Sequence, residues 1–114
     1  MRTETKRSRQ LPIGTAPLFA ALGDETRLHL VSRLCREGPL SITGLTGGSR
    51  VTRQAVTKHL HVMEGAGLVH GTRSGREIRW QLDQKRLRAA RQSLDLISKQ
   101  WDDALERLRQ FVEE

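Results

Sequence analysis

Residues 51–69 read VTRQAVTKHLHVMEGAGLV. Val56, Leu60 and Met63 recur at i, i+4 and i+7, with Ala55 beside them, so this stretch is expected to form an amphipathic helix with one buried edge. Thr52 is the expected N-cap, since its hydroxyl can accept from the open N–H groups of the first turn, and the helix should end at Glu64 or Gly65. Arg53, Gln54, Thr57, Lys58 and His61 then point away from the apolar edge.

Upstream, Gly47-Gly48-Ser49 makes a turn, and a short helix over 42–46, capped by Ser41, turns Ile42 and Leu45 inward. A short helix, a Gly-containing turn and a second helix form the helix-turn-helix arrangement, whose second helix enters the major groove of DNA. The outward side chains suit that role. Arg bonds two acceptors on guanine, Gln does the same for adenine, Thr meets a thymine methyl or a phosphate, and Lys neutralises phosphate. A solvated polar face is the plainer alternative, but Glu64 is the only acid between Arg50 and Arg76.

Further upstream, Asp24 caps a helix over 24–36, closed by Gly38 and Pro39, with Leu28, Val31, Leu34 and Cys35 on its inner face. Cys35 there reads as a packed small hydrophobe rather than a reactive thiol. A short helix over 16–22 precedes it, with Pro17 at an early position and Leu18, Phe19 and Leu22 apolar.

Downstream, strands over 68–73 and 76–82 flank Ser74-Gly75, a tight hairpin signal. Ile78, Trp80 and Leu82 alternate with Glu77, Arg79 and Gln81, giving one buried and one wet face. Arg73 and Arg76 flank the tip, with Arg79 behind them. A hairpin so placed is a wing that lies on the DNA backbone or reaches into the minor groove.

The last helix, over 83–112, carries Leu87, Ala90, Leu94, Ile97, Trp101, Ala104, Leu108 and Phe111 at alternating spacings of three and four. Leu96, Leu105 and Val112 widen the stripe. Such a helix is roughly 45 Å long, more than a core of this size covers. Leu94, Ile97, Trp101, Leu105 and Leu108, with Leu18 and Phe19 of the first helix alongside, are therefore expected to face a second copy in a two-fold dimer.

At 114 residues the chain is expected to hold one domain, over 15–114, behind a flexible basic arm over 1–14. Lys and Arg number 20 against 13 Asp and Glu, a net charge of +7 with a pI near 11.0 and a mean hydropathy of −0.55. That favours a polyanionic partner and argues against a membrane protein. The excess is localised: residues 50–80 hold six bases against two acids, whereas 81–114 balance at seven each. One cysteine excludes an intrachain disulfide and fits the reducing cytoplasm. The N-terminus lacks the apolar run of a secretory signal.

The segments GDETRLHLVSRL, VTRQAVTKHLHVMEGAGLV and RSGREIRWQL together resemble the ArsR/SmtB family of bacterial winged helix-turn-helix regulators. The most specific pieces are Asp24-Glu25-Thr26-Arg27, the Thr-x-x-x-Val-x-x-His-Leu pattern of Thr52 to Leu60, and Gly67-Leu68-Val69. The resemblance implies a mainly α fold of about five helices and a two-stranded wing. It further implies a dimeric repressor on inverted-repeat operators, often of its own operon.

The family's metal sensors carry a Cys-x-Cys type motif where this chain reads Ser41-Ile42-Thr43-Gly44-Leu45-Thr46, and residues 83–114 contain no histidine for the other family site. His59 and His61 lie about 200° apart on a helix and cannot share an ion; His29 and His70 have no motif partner. Asp102 and Glu106 form an i, i+4 carboxylate pair that more often meets Arg or water. No metal, cofactor or membrane is expected. His59 is assigned a structural or phosphate-contact role. No nucleophile, phosphate-cradling loop or metal-carboxylate set supports an enzyme such as a small nuclease. A winged-helix protein-interaction module remains as the alternative, though it has no need of Arg53, Gln54, Thr57 and Lys58 beside an arginine wing.

Overall fold

The computed structural model describes residues 14–48 and 50–113. The expected basic arm thus lies, apart from Gly14, outside the described residues. Eight elements follow in order: α1 (Thr15–Leu22), α2 (Glu25–Glu37), β1 (Leu40–Ser41), α3 (Ile42–Thr46), α4 (Arg53–Gly65), β2 (Val69–Ser74), β3 (Glu77–Leu82) and α5 (Gln84–Glu113). The mainly helical fold with a winged helix-turn-helix is the one expected.

Side-chain caps start four of the helices. Asp24 accepts from the Arg27 N–H at 3.0 Å, Ser41 from Gly44 at 3.1 Å, Thr52 from Ala55 at 3.1 Å and Asp83 from Arg86 at 2.9 Å, each engaging one of the four open donors of a first turn. At the other end of α4, the Leu68 N–H reaches back to the Met63 carbonyl and that of Gly67 to Glu64, both at 2.9 Å. That closure carries Leu68 directly into the core.

The core gathers Leu18 and Ala21 of α1, Leu30 and Leu34 of α2, Leu45 of α3, Val56, Leu60 and Met63 of α4, then Leu68, Val69, Trp80, Leu82 and Ala90. Two expectations for α2 are corrected. Leu28 is 52% exposed and Cys35 is exposed, while Leu30 is buried. At 100° per residue Leu28 and Cys35 sit well round the cylinder from the Leu30–Leu34 edge, so the buried stripe is narrower than apolar composition implied.

The sheet has three strands, not two, in the order β1-β3-β2 and antiparallel throughout. β1 is two residues long, pairing Leu40 with Trp80 and Ser41 with Arg79, too short for any periodicity. The hairpin loop is also one residue later than expected: Ser74 pairs with Glu77, leaving Gly75 and Arg76 as the turn. Gly75 has φ +65° and no other residue type in the described chain has positive φ, the pattern of a type II′ turn, which wants glycine first. Ile78 therefore lies close to the tip and is 45% exposed instead of buried. Gly71, opposite Trp80, leaves room for it: a Cβ there would stand 2.7 Å from Ile78 Cγ2 and 3.4 Å from the Trp80 ring.

α1 lies along the first part of α5, where buried Thr15 and Ser93 hydroxyls meet at 3.3 Å. Ala90 and Ser93 are the last buried residues of α5. The rest projects, giving extents of 65 × 35 × 20 Å.

Replacing Leu60, which has no exposure, by alanine is expected to cost about 2–5 kcal/mol in urea unfolding. The Asp24 carboxyl is held below its ordinary value, chiefly by the Arg27 N–H it caps, so the charged cap contributes fully above the unfolded-state value near about 4 and is lost as pH falls through the folded value. The Glu37 carboxyl is likewise held below its ordinary value, chiefly by its hydrogen bond from Arg33, so its contribution is also lost in acid. Asp24→Asn, which caps without titrating and keeps Glu37, isolates the first contribution. The wild-type Tm should fall relative to that variant as pH drops below about 4, and a difference that stays flat from pH 6 to pH 2.5 contradicts this account.

Candidate nucleic-acid interface

The buried edge of α4 fixes where its other side points. With Val56, Leu60 and Met63 at no exposure, Gln54, Lys58 and His61 form one outer line at i, i+4 and i+7, and Arg53 and Thr57 form a second column beside it. Arg53, Gln54, Lys58 and His61 are exposed and Thr57 is half-buried.

The five side chains are not equivalent. Gln54 and Lys58 make no side-chain hydrogen bond or ion pair within the described chain and present free polar heads. Thr57 donates its hydroxyl to the Arg53 carbonyl one turn back, at 2.8 Å, which leaves its methyl group and a lone pair outward. Arg53 donates from Nη1 to the Thr43 hydroxyl on α3 at 3.0 Å. His61 leans toward the sheet: its ring stands edge-on to Trp80 at 6.4 Å between centroids, and Nδ1 is 3.7 Å from the Glu64 carboxylate. Thr52, the cap, accepts from the Ala55 N–H and keeps its own hydrogen to donate outward.

His59 takes a structural place. Its Nδ1 lies 3.3 Å from Arg27 Nη1, and Arg27 also donates to the Ala21 carbonyl at the end of α1. With Asp24 capping through the Arg27 N–H, one residue ties α1, α2 and α4 together. The sequence held both halves of this tie, in Asp24-Glu25-Thr26-Arg27 and in Lys58-His59-Leu60, but 32 residues of separation hide their contact. The Thr43–Arg53 contact was likewise not legible, since a threonine on one helix of the pair gives no sign of which arginine it meets.

The wing arginines are all exposed but divide between two faces. Arg73 is opposite Ile78, on the face that carries Trp80 toward α4, whereas Arg79 is opposite Thr72 on the reverse face. Arg76 sits in the loop itself. Ser41, Ile42 and Thr43 at the start of α3, Arg53 at the start of α4, and Arg76, Glu77 and Ile78 at the wing tip line one open groove of about 220 Å³.

Of the residues expected at an assembly face, Leu18 is 1% exposed and belongs to the protomer's own core, a correction that follows from α1 packing flat on the body. Phe19 is half-buried. Leu94, Ile97, Trp101, Leu105 and Leu108 are 44–65% exposed along α5, continuous with Phe111 and Val112. Among the described residues no three His, Cys, Asp or Glu side chains come together to hold a metal, and no helix is long and apolar enough to cross a membrane.

Comparison with known proteins agrees with this architecture. Residues 24–70, from the α2 cap to the start of the wing, match the family described as bacterial regulatory protein, arsR family. The HTH-type transcriptional regulator Rv2034 of Mycobacterium tuberculosis is 38% identical over 95 residues, covering 83% of this chain and 85% of that one. The HTH-type transcriptional repressor SmtB of the same species is 31% identical over 97 residues, 85% of this chain and 70% of that one. An ArsR-like transcriptional regulator from Rhodococcus sp. RHA1 superposes with a TM-score of 0.73 at 36% identity, covering 86% of this chain and 92% of that one. With nearly its whole length aligned to these regulators, and with a capped recognition helix and wing in place, the chain belongs to the ArsR family of DNA-binding transcriptional regulators, which are not enzymes.

Proposed function

We propose that the chain is a homodimeric cytoplasmic repressor that binds an inverted-repeat operator, that of its own operon included, with α4 in the major groove and the wing on the flanking backbone or minor groove. The observation that carries this reading is the outer line of α4. Gln54 and Lys58 are exposed, free of internal partners, and aimed by a helix whose opposite edge is fully buried. A helix held this rigidly presents the same two heads to every duplex it meets, the condition for bidentate reading of a base edge. Gln54 takes the base-reading role and Lys58 a phosphate, with Thr52 and the Thr57 methyl beside them. His61, turned toward Trp80, contributes at the margin.

The second chain is supplied by α5. Seven large apolar side chains from Leu94 to Val112 stand 44–78% exposed on one face, a patch of the kind a soluble monomer rarely carries. Closing that seam on a second copy, with Phe19 at its margin, doubles the basic block formed by residues 50–80 and sets two recognition helices one helical turn of DNA, or a small multiple, apart. Occupancy of the operator would then block transcription, in keeping with one relative being named a repressor. Ser41 to Thr46 offer no thiolate or imidazole and residues 83–114 no histidine, so DNA affinity is expected to be the same with Zn²⁺ as with a chelator.

Three outcomes test this reading. Gln54→Ala should lose about 1–3 kcal/mol of discrimination between the selected operator and half-sites changed at one base pair, read by fluorescence anisotropy; unchanged discrimination removes Gln54 from base reading. Leu94→Glu combined with Trp101→Glu should sediment as a monomer and lose tight operator binding, whereas a dimer that persists places the interface elsewhere. Titration of the operator with Zn²⁺ and then with a chelator should leave the binding curve in place, and a shift of tenfold or more would show a metal response.

A further inference from the structure

The start of α4 and the tip of the wing are usually assigned to different grooves of the duplex. Here they border one space. The groove of about 220 Å³ is lined by Arg53 of α4 and Arg76 of the wing together with Ser41 and Thr43. If α4 occupies a major groove and the wing the adjacent minor groove, the only part of the DNA that passes between them is the sugar-phosphate strand that separates those grooves. Side chains lining the space between the two elements therefore face phosphate, not base edges.

Arg53 is held for that task. Its Nη1 is fixed to the Thr43 hydroxyl at 3.0 Å, which draws the guanidinium off the outer line of Gln54 and Lys58 toward α3 and the wing and leaves its other N–H groups open. Arg76, in the turn between β2 and β3, makes no hydrogen bond or ion pair within the described chain. Ser41 accepts the Gly44 N–H and retains its own hydrogen to donate. The one acid on the rim is Glu77, which forms no ion pair with either arginine and opposes any anion that enters.

We propose that Arg53 and Arg76 close on one and the same backbone phosphate of each half-site, so that the recognition helix and the wing are locked to each other through the DNA. Arg53 is on this assignment a phosphate-binding residue and not a reader of guanine. The assignment rests on the DNA-binding reading above and deepens it. Two guanidinium groups on one phosphate release the condensed counterions of that phosphate once, whereas the same two groups on separate phosphates release them twice.

The salt dependence of binding to an operator selected from a random duplex pool separates the cases. The dimeric full chain is compared with Arg53→Ala, Arg76→Ala and the double variant. A shared phosphate gives a double variant whose log K against log salt slope is shallower by about 0.9 per protomer; separate phosphates give about 1.8, and that result overturns the proposal. Duplexes carrying a single neutral methylphosphonate at each position in turn locate the contact. Each single variant should lose part of its sensitivity at the same position of the half-site and the double variant all of it there, and loss of sensitivity at two different positions overturns it. Glu77→Gln should tighten binding to every sequence alike, and unchanged or weaker binding counts against an anion in the groove. A change in base preference on Arg53→Ala would return Arg53 to base reading. Failure of the unaltered chain to bind any duplex removes the DNA-binding reading itself, and this assignment with it.

Discussion

Val56, Leu60 and Met63 hold α4 against the rest of the core with no exposure on any of the three, and that grip fixes the rotation of the helix about its own axis. A turn of about 100° in either direction would put Gln54 and Lys58 out of line, and in one direction would bring Glu64 toward the partner surface. Steric packing sets this angle, and a polar contact adds to it: Arg27 bridges the Ala21 carbonyl and His59 Nδ1, tying the end of α1, the start of α2 and the middle of α4 together. Arg27 can only donate, so His59 Nδ1 is the acceptor of this contact.

The two kinds of constraint were unequally visible in the sequence. Periodicity and local capping signals report properties of a few neighbouring residues, and they located the buried edge of α4, the apolar stripe of α5 and the caps Asp24, Ser41 and Thr52. Periodicity overreached in α2, where Leu28 and Cys35 are apolar and yet stand outside the buried stripe, because hydrophobicity without packing partners does not bury a residue. It also shifted the hairpin by one residue, since Ser74-Gly75 and Gly75-Arg76 both offer a glycine to a two-residue turn and the pairing of Ser74 with Glu77 decides between them.

What lay beyond reach was contact between elements distant in sequence. β1 exists because Leu40 and Ser41 run beside Trp80 and Arg79, and two residues have no pattern of their own. The Arg53–Thr43 and Arg27–His59 contacts were hidden for the same reason, and both alter how the candidate interface is read. A composition of free outward side chains suggests five interchangeable contacts; the hydrogen bonds divide them into two free heads, one hydroxyl turned back on its own helix, one arginine drawn toward the wing and one histidine set against the sheet.

The long helix links assembly to this interface through stability as well as through geometry. Residues 94–113 of α5 contain no buried residue in the single chain and only Leu96 half-buried, and a stretch of that length with so little packing is marginal as a helix by itself, because propagation barely offsets the cost of ordering each residue. The first part of α5, clamped at Ala90 and Ser93 and tied to Thr15 of α1, supplies a nucleus from which the rest extends. Burial of Leu94, Ile97, Trp101 and Leu108 in the proposed dimer then adds the stabilisation that the isolated chain lacks, so the helicity of this segment and the fraction of dimer rise together with concentration. Two recognition helices on one rigid seam bind two half-sites with the second contact made at high effective concentration, whereas two chains with frayed seams bind as independent weak modules. In the proposed dimer the affinity for an operator is thereby set in part by side chains that never approach the DNA.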